Sequence, residues 1–273
     1  MQAGRNSDQK TCEGLLLCMM LVATMDETPS SEETREIAMI AAEEPEFSAL
    51  DGDQLDALLS KVQTDLHKKP DDLFATIKRL LSSDKNRERG LELAVRIITA
   101  DGIVSEENAT VLEKFRKQFG LPHDALDDYI IASQKRLVRF MMVYLVYLTV
   151  MADKKINLKE FELMLPMVFT LPAFKGVNTE QFAYISQSVR RHLDLMKKDW
   201  GIDYITGTLL RASELLADDT IPEQACRLVA RGVFADGKVT QSECDFFEKI
   251  CNKLGLPENR SSELINKSAV MKK

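Results

Sequence analysis

The sequence predicts an all-α protein made of two tandem helical domains. Three observations lead to this prediction. Apolar residues recur three and four positions apart along most of the chain, which is the period of amphipathic helices. Only 12 glycines and 8 prolines interrupt 273 residues. Finally, a long stretch of the first half recurs in the second half, and a length of this size accommodates two domains.

Composition excludes several classes of protein. Apolar residues make up 45% and charged residues 29% of the chain, as in folded domains rather than disordered segments. The formal net charge of −7 disfavours a nucleic-acid partner, which would require a basic surface. The five cysteines contain no C-x-x-C pair and are odd in number, so neither a zinc ribbon nor a secreted disulfide framework is expected. A cytoplasmic location is predicted.

Two apolar stretches are predicted to be buried helices. The segment from Leu15 to Met25 is not followed by a small-x-small cleavage site, and Asp26 ends it. The segment from Phe140 to Met151 is well short of the roughly 20 residues that span a bilayer. An integral membrane protein is therefore not expected, whereas peripheral association with a membrane stays open.

The internal repeat has two constant offsets. Residues 98–104 recur at 233–239 and residues 119–122 recur at 254–257, in both cases 135 positions later. Earlier in the chain, Asp26, Phe47 and Gln54 recur 127 positions later. One insertion around residues 197–201 accounts for the difference of 8. The predicted copies are residues 12–133 and 137–268, with tails at 1–11 and 269–273, and the joint 133–136 has a helical composition.

Each copy contains a weaker duplication of its own, because one acidic turn between helices occurs twice per copy. The four turns begin at Asp26, Asp101, Asp153 and Asp236. Much of the motif is typical of helix ends. Gly102 and Gly237 can adopt the left-handed backbone conformation that ends a helix. Four residues stand at N-cap positions, namely Ser30, Ser105, Asn157 and Thr240. Glu33, Glu160 and Glu243 follow three residues later and complete predicted capping boxes.

The aspartates have two interpretations. An aspartate in the last helical turn faces the negative end of the helix dipole, at a cost of about 0.3–1 kcal/mol. Either N–H groups of the turn bond back to the carboxylate, or a bound cation offsets the cost.

A single turn does not complete a calcium loop. Residues 236–243 are similar to the second half of an EF-hand loop, with glycine, a branched apolar residue and glutamate in the expected places. In the first half, however, the ligand positions are Gly232 and Phe234. Ligands for a cation would therefore come from two turns, such as Asp153, Glu160, Asp236 and Glu243. Oxygen-only ligands favour Ca²⁺ or Mg²⁺.

Taken together, these motifs resemble the TerB and TerB-like domains of the tellurite-resistance family. The shared pattern is A-D-G-x-V-x-x-x-E near the end of a helical unit, an earlier D-x-x-[VI]-x-x-x-E, and a closing G-L-P. The resemblance implies an all-helical domain of two pseudo-symmetric halves, an acidic cation-binding cluster, no enzymatic activity, and membership of a cytoplasmic stress-response assembly with protein partners. The matching positions are Asp26, Glu33 and Asp101 in the first copy and Asp153, Glu160, Asp236 and Glu243 in the second.

The first copy departs from the pattern. Asn108 stands where the second copy has Glu243, and Pro29 and Glu27 replace the branched residue and the glycine of the later turns. Since fewer carboxylates attract a divalent ion less strongly, the second copy is expected to bind more tightly.

Two further function classes are considered beside the cation-responsive module. In the first, all four turns only cap helices and the chain is a protein-interaction scaffold. The second, a metal-dependent hydrolase, ranks last because no nucleophile, base or oxyanion donor is identifiable. The histidines are scattered in polar contexts, at positions 67, 123 and 192, and are predicted to lie on the surface.

Overall fold

A computed structural model of the protein describes residues 2–24, 29–100, 104, 106–151, 166, 168–195, 202–233 and 239–270. Within these residues every regular element is a helix, which confirms the all-α prediction. Helices α1 to α7 span Gln2–Ala23, Ser31–Glu43, Gly52–Asp65, Pro70–Leu80, Asp84–Ile98, Glu106–Phe119 and Ala125–Met151. A short 3-10 helix covers Pro172–Phe174, and α8 to α12 span Thr179–Leu195, Ile202–Leu215, Ile221–Val233, Gln241–Lys253 and Glu258–Val270.

The chain divides into two compact units, Met1–Ser133 and Gln134–Lys273. The boundary falls inside α7, which continues as helix through the joint. The helical composition of that joint therefore corresponds to helical structure.

In the first unit, α1 packs against α2, α3, α4, α5 and α6. The segment from Leu15 to Met19 is buried on all sides, as expected for a central helix. Two glycines pack against Leu81, which follows α4: a Cβ atom on Gly14 of α1 or Gly90 of α5 would lie 2.7 Å from a methyl carbon of Leu81. The first predicted apolar stretch is thus a core helix over its described residues.

In the second unit, α10 packs against α9, α11 and α12. Most side chains of α10 are buried, among them Ala225, Leu228 and Val229. Met142 and Tyr144 of α7, which both belong to the second predicted apolar stretch, are also fully buried. No helix within the described ranges is long and apolar enough to cross a membrane.

Several local structures recur at the two sequence offsets. Helix α3 begins with a reciprocal cap in which Gln54 N donates to Asp51 Oδ1 over 2.9 Å and Asp51 N donates to Gln54 Oε1. At the positions 127 later, Gln181 N donates to Asn178 Oδ1 over 2.8 Å and the return bond is also present. The same capping box therefore starts α3 and α8.

A left-handed glycine recurs in the same manner. Gly120 follows α6 with φ of 71°, and Gly255 follows α11 with φ of 70°, 135 positions later. The residue after each glycine donates its N–H to the carbonyl five positions earlier, over 3.1 Å in the first unit and 3.0 Å in the second. This bond pattern is that of a Schellman C-terminal cap, which requires a residue at positive φ.

Candidate functional site: the acidic turns and their surroundings

Two of the seven predicted site residues belong to the described part of the chain. Glu33 lies in the first turn of α2 and Glu243 in the first turn of α11. The other five lie outside the described residues, at Asp26, Asp101, Asp153, Glu160 and Asp236. Convergence of the carboxylates therefore stays a prediction.

Glu33 completes a capping box with Ser30. Ser30 N donates to Glu33 Oε2 over 2.8 Å, and Glu33 N donates to Ser30 Oγ over 3.1 Å. Ser30 has extended backbone angles, with φ of −63° and ψ of 162°, as an N-cap residue should. The predicted N-cap and capping box of this helix are confirmed.

Glu243 completes the corresponding box with Thr240. Thr240 N donates to Glu243 Oε2 over 2.7 Å, Thr240 Oγ1 donates to the same oxygen over 2.8 Å, and Glu243 N returns a bond to Thr240 Oγ1 over 3.3 Å. Both predicted glutamates therefore have a structural role at a helix start. Their negative charge also lies at the positive end of the helix dipole, where it is stabilised.

Glu243 is nevertheless an unusual carboxylate. It is only 8% exposed, and no lysine or arginine among the described residues forms a salt bridge with it. Asn108, which occupies the same position 135 residues earlier, is similarly buried at 6% exposure. The second unit thus buries a charge where the first unit buries a neutral amide, and the buried charge is the form that attracts a cation.

A second group of charged residues, which the sequence analysis did not identify, surrounds the first unit's α2 and α5. Arg96 is 6% exposed and donates to Glu36 Oε1 from Nη2 over 2.8 Å and from Nε over 3.1 Å. It also forms a short ion pair with Glu44, which follows α2. Arg89, one heptad earlier on α5, is paired with Glu44 and with Glu46 over 2.8 Å. We call these five residues the α2–α5 ion network.

Electrostatics within this network favour the charged arginines. Burial alone lowers the pKa of Arg96, but the adjacent Glu36 and Glu44 outweigh it and raise the net pKa above its ordinary value. For Arg89, burial likewise opposes and Glu92, Glu44 and Glu46 together raise the pKa. Both guanidinium groups therefore stay protonated at every accessible pH. The network joins the helix that follows the Asp26 turn to the helix that precedes the Asp101 turn.

The described ranges contain no group of three or more histidine, cysteine, aspartate or glutamate side chains that could hold a metal ion. His67 and His123 are exposed, as predicted, and His192 lies among the residues whose side chains are not described. The cysteine thiols are free, and burial raises the pKa of Cys18, which makes that thiol a poor nucleophile.

Comparison with known proteins finds a similarity within the first unit. Residues 13–129 match the family model described as tellurite resistance protein TerB. No curated protein and no solved structure was found to match the chain. The family match begins in α1 and ends within the first turns of α7, so it covers nearly all of Met1–Ser133.

Proposed function

We propose that this chain, whose first unit matches TerB, is a non-catalytic module of a tellurite-resistance or general stress response, formed by two TerB-like domains in tandem. The observation that carries this proposal is the family match over residues 13–129. A cytoplasmic location and protein partners belong to the same proposal.

Recurrent local structure supports the tandem arrangement. The capping boxes of α3 and α8 are 127 positions apart, and the left-handed glycines are 135 positions apart. A duplicated fold explains why separate helix ends obey the same two offsets.

For the second unit we propose a divalent-cation site, with Ca²⁺ or Mg²⁺ held by Asp153, Glu160, Asp236 and Glu243. The buried carboxylate of Glu243, which forms no salt bridge with any described residue, supports this assignment, because a buried charge is costly unless it is paired or bound to a metal. Glu243 Oε2 is engaged by Thr240, so the carboxylate is already oriented by its helix start. The first unit, with Asn108 instead, is the weaker site, formed by Asp26, Glu33 and Asp101.

The alternative is an interaction scaffold in which the turns only cap helices. The two observed capping boxes favour this alternative at Glu33 and Glu243, since each glutamate already has a structural partner.

Calorimetric titration of Ca²⁺ and Mg²⁺ into the full chain distinguishes the two. The cation proposal expects saturable heat with a dissociation constant of about 0.1–1 mM. Asp153→Asn with Asp236→Asn should abolish it, whereas Asp53→Asn with Asp56→Asn, which removes two exposed charges from α3, should not. Wild-type protein without heat at several times that concentration, or equal loss in the control, would leave the scaffold function.

A further inference from the structure

The two units differ in charge at corresponding positions. The first unit has glutamates around Arg89 and Arg96 in the α2–α5 ion network. At the equivalent positions of the second unit the acidic residues are replaced: Leu163 for Glu36, Leu171 for Glu44, Ala173 for Glu46 and Arg227 for Glu92, while Arg231 keeps the place of Arg96. The second unit has therefore kept an arginine and lost its counter-charges.

The described contacts place these residues along one stretch of α10. Arg231 Nη1 donates to Thr170 Oγ1 over 2.9 Å, and Ala173 N donates to Gln224 Oε1 over 3.1 Å. The segment 170–173 consequently runs beside α10 from Arg231 towards Gln224. Arg227 is four residues before Arg231 and three after Gln224, on the same side of the helix.

A third arginine borders the same segment from α7. Arg139 Nε donates to the carbonyl oxygen of Ala173 over 2.8 Å. This contact corresponds to the one in the first unit where Cys12 Sγ donates to the carbonyl of Glu46 over 3.0 Å. A neutral thiol in the first unit is thus a guanidinium in the second.

Compensation for these positive charges is incomplete among the described residues. Glu223 pairs with Arg227 over 2.7 Å, but it also pairs with Arg260 over 2.8 Å. The hydrogen bonds found for Arg139 and Arg231 reach a carbonyl and a hydroxyl, which are neutral. Burial lowers the pKa of Arg139, and burial followed by the nearby Arg227 lowers the pKa of Arg231. The pKa values of these two arginines are therefore shifted in the opposite direction to those of Arg89 and Arg96 in the first unit.

An exposed aromatic ring adjoins the arginines. Phe169 directly precedes Thr170, is 39% exposed, and rests on Phe182 with ring centroids 4.8 Å apart. The equivalent residue of the first unit is Ala42, which has no comparable side chain. Arginine together with an aromatic residue is the composition enriched at the centres of protein interfaces.

We propose that the second unit binds an acidic segment of a partner protein through one face of its surface. This face, which we call the arginine–phenylalanine face, consists of Arg139, Arg227, Arg231 and Phe169. Carboxylates of the partner pair with the guanidinium groups and an apolar side chain packs on Phe169. Charge complementarity selects an acidic occupant, and the exposed ring selects a peptide over a small anion. The inference goes beyond the proposed function and does not require either unit to bind a cation.

The test measures binding of fluorescein-labelled peptides to the full chain by fluorescence anisotropy, with EDTA present to exclude metal effects. One peptide repeats Glu-Glu-Leu and the other Glu-Glu-Ser. We expect saturable binding that favours the leucine peptide and weakens with salt. Arg227→Glu with Arg231→Glu should weaken it by about tenfold or more. Phe169→Ala should remove the preference for leucine while keeping the electrostatic part.

Matched controls keep the result interpretable. Lys78→Glu with Arg79→Glu makes the same total charge change at two exposed positions of α4 and should leave binding unchanged. Circular dichroism checks that each variant is folded, and Phe169→Ala, which removes no polar contact, serves if the double variant unfolds. The proposal is overturned if no saturable binding occurs, if the control weakens binding equally, or if inorganic phosphate displaces the peptide at matched ionic strength. Phosphatidylserine vesicles that bind this face without competition from the peptide would also overturn it.

Discussion

Replacing Arg96 by methionine should destabilise the first unit strongly. Methionine keeps most of the apolar stem but removes the three hydrogen bonds that Arg96 donates to Glu36 and Glu44. The side chains of Arg96, Glu36 and Glu44 are only 6%, 12% and 11% exposed, so water does not replace the hydrogen bonds that the two glutamates lose. Removal of one partner from a buried ion pair costs about 3–5 kcal/mol.

The second unit supplies the control. Arg231→Met removes an arginine from the equivalent position, where its hydrogen bond within the described part of the chain reaches the neutral hydroxyl of Thr170. The expected cost is about 0.5–1.5 kcal/mol, the net value of an ordinary hydrogen bond. A triple variant, Arg96→Met with Glu36→Leu and Glu44→Leu, places leucines where the second unit has them and should recover much of the loss, since apolar replacement of a whole buried network is often neutral.

Urea denaturation followed by far-UV circular dichroism measures the free energy of unfolding, and amide exchange by mass spectrometry locates the change in α2 and α5. Equal losses for Arg96→Met and Arg231→Met, or a loss below about 1 kcal/mol for Arg96→Met, would refute the assignment of the network as a buried ion pair.

Two further predictions concern packing and pH. Gly90→Ala should lower the free energy of unfolding by about 1 kcal/mol net, because its Cβ would lie 2.7 Å from the fully buried Leu81. Gly52→Ala, whose Cβ would have no neighbour within 4 Å, should raise the free energy of unfolding slightly. Urea denaturation of the two variants checks the sign of each change. The hydrogen bond from Arg116 lowers the pKa of Glu113 from 4.5 to about 2, so its contribution to stability is complete above pH 4.5 and lost as the pH falls towards 2. NMR titration of the Glu113 carboxyl carbon should show this midpoint, and Arg116→Ala should return it towards 4.5; an unshifted midpoint in wild type would contradict the assignment.

Helix starts were the part of the site that the sequence predicted best. A hydroxyl residue followed three positions later by glutamate predicts a capping box from local chemistry alone, and Ser30 with Glu33 and Thr240 with Glu243 form such boxes. A broader form of the pattern, a small polar N-cap followed three positions later by glutamate or glutamine, also fits Asp51 and Gln54, which form such a box. Local hydrogen bonds can be inferred because both partners belong to one helical turn.

The α2–α5 ion network could not be found in this way. Arg89 and Arg96 are seven residues apart on α5, which places them on one face of the helix, and charged residues on a helix are normally expected to be exposed. Their partners Glu36, Glu44 and Glu46 are more than 40 positions earlier, so burial of the charges depends on how α2 and the segment after it return to α5. The different charge around Arg231 in the second unit likewise depends on a contact between residues far apart in the sequence, Arg231 and Thr170.

Helix α7 limits how a chain of this kind can change in length. Its backbone is helical from Ala125 to Met151, so adding or losing one residue near Ser133 would rotate every following side chain by about 100° around the helix axis. If the units arose by duplication, the genes must have been fused so that the helical register survived. Fragments meant for separate expression should retain Ser133 with the first unit, because its hydroxyl lies 2.6 Å from that of Thr99 in a buried position.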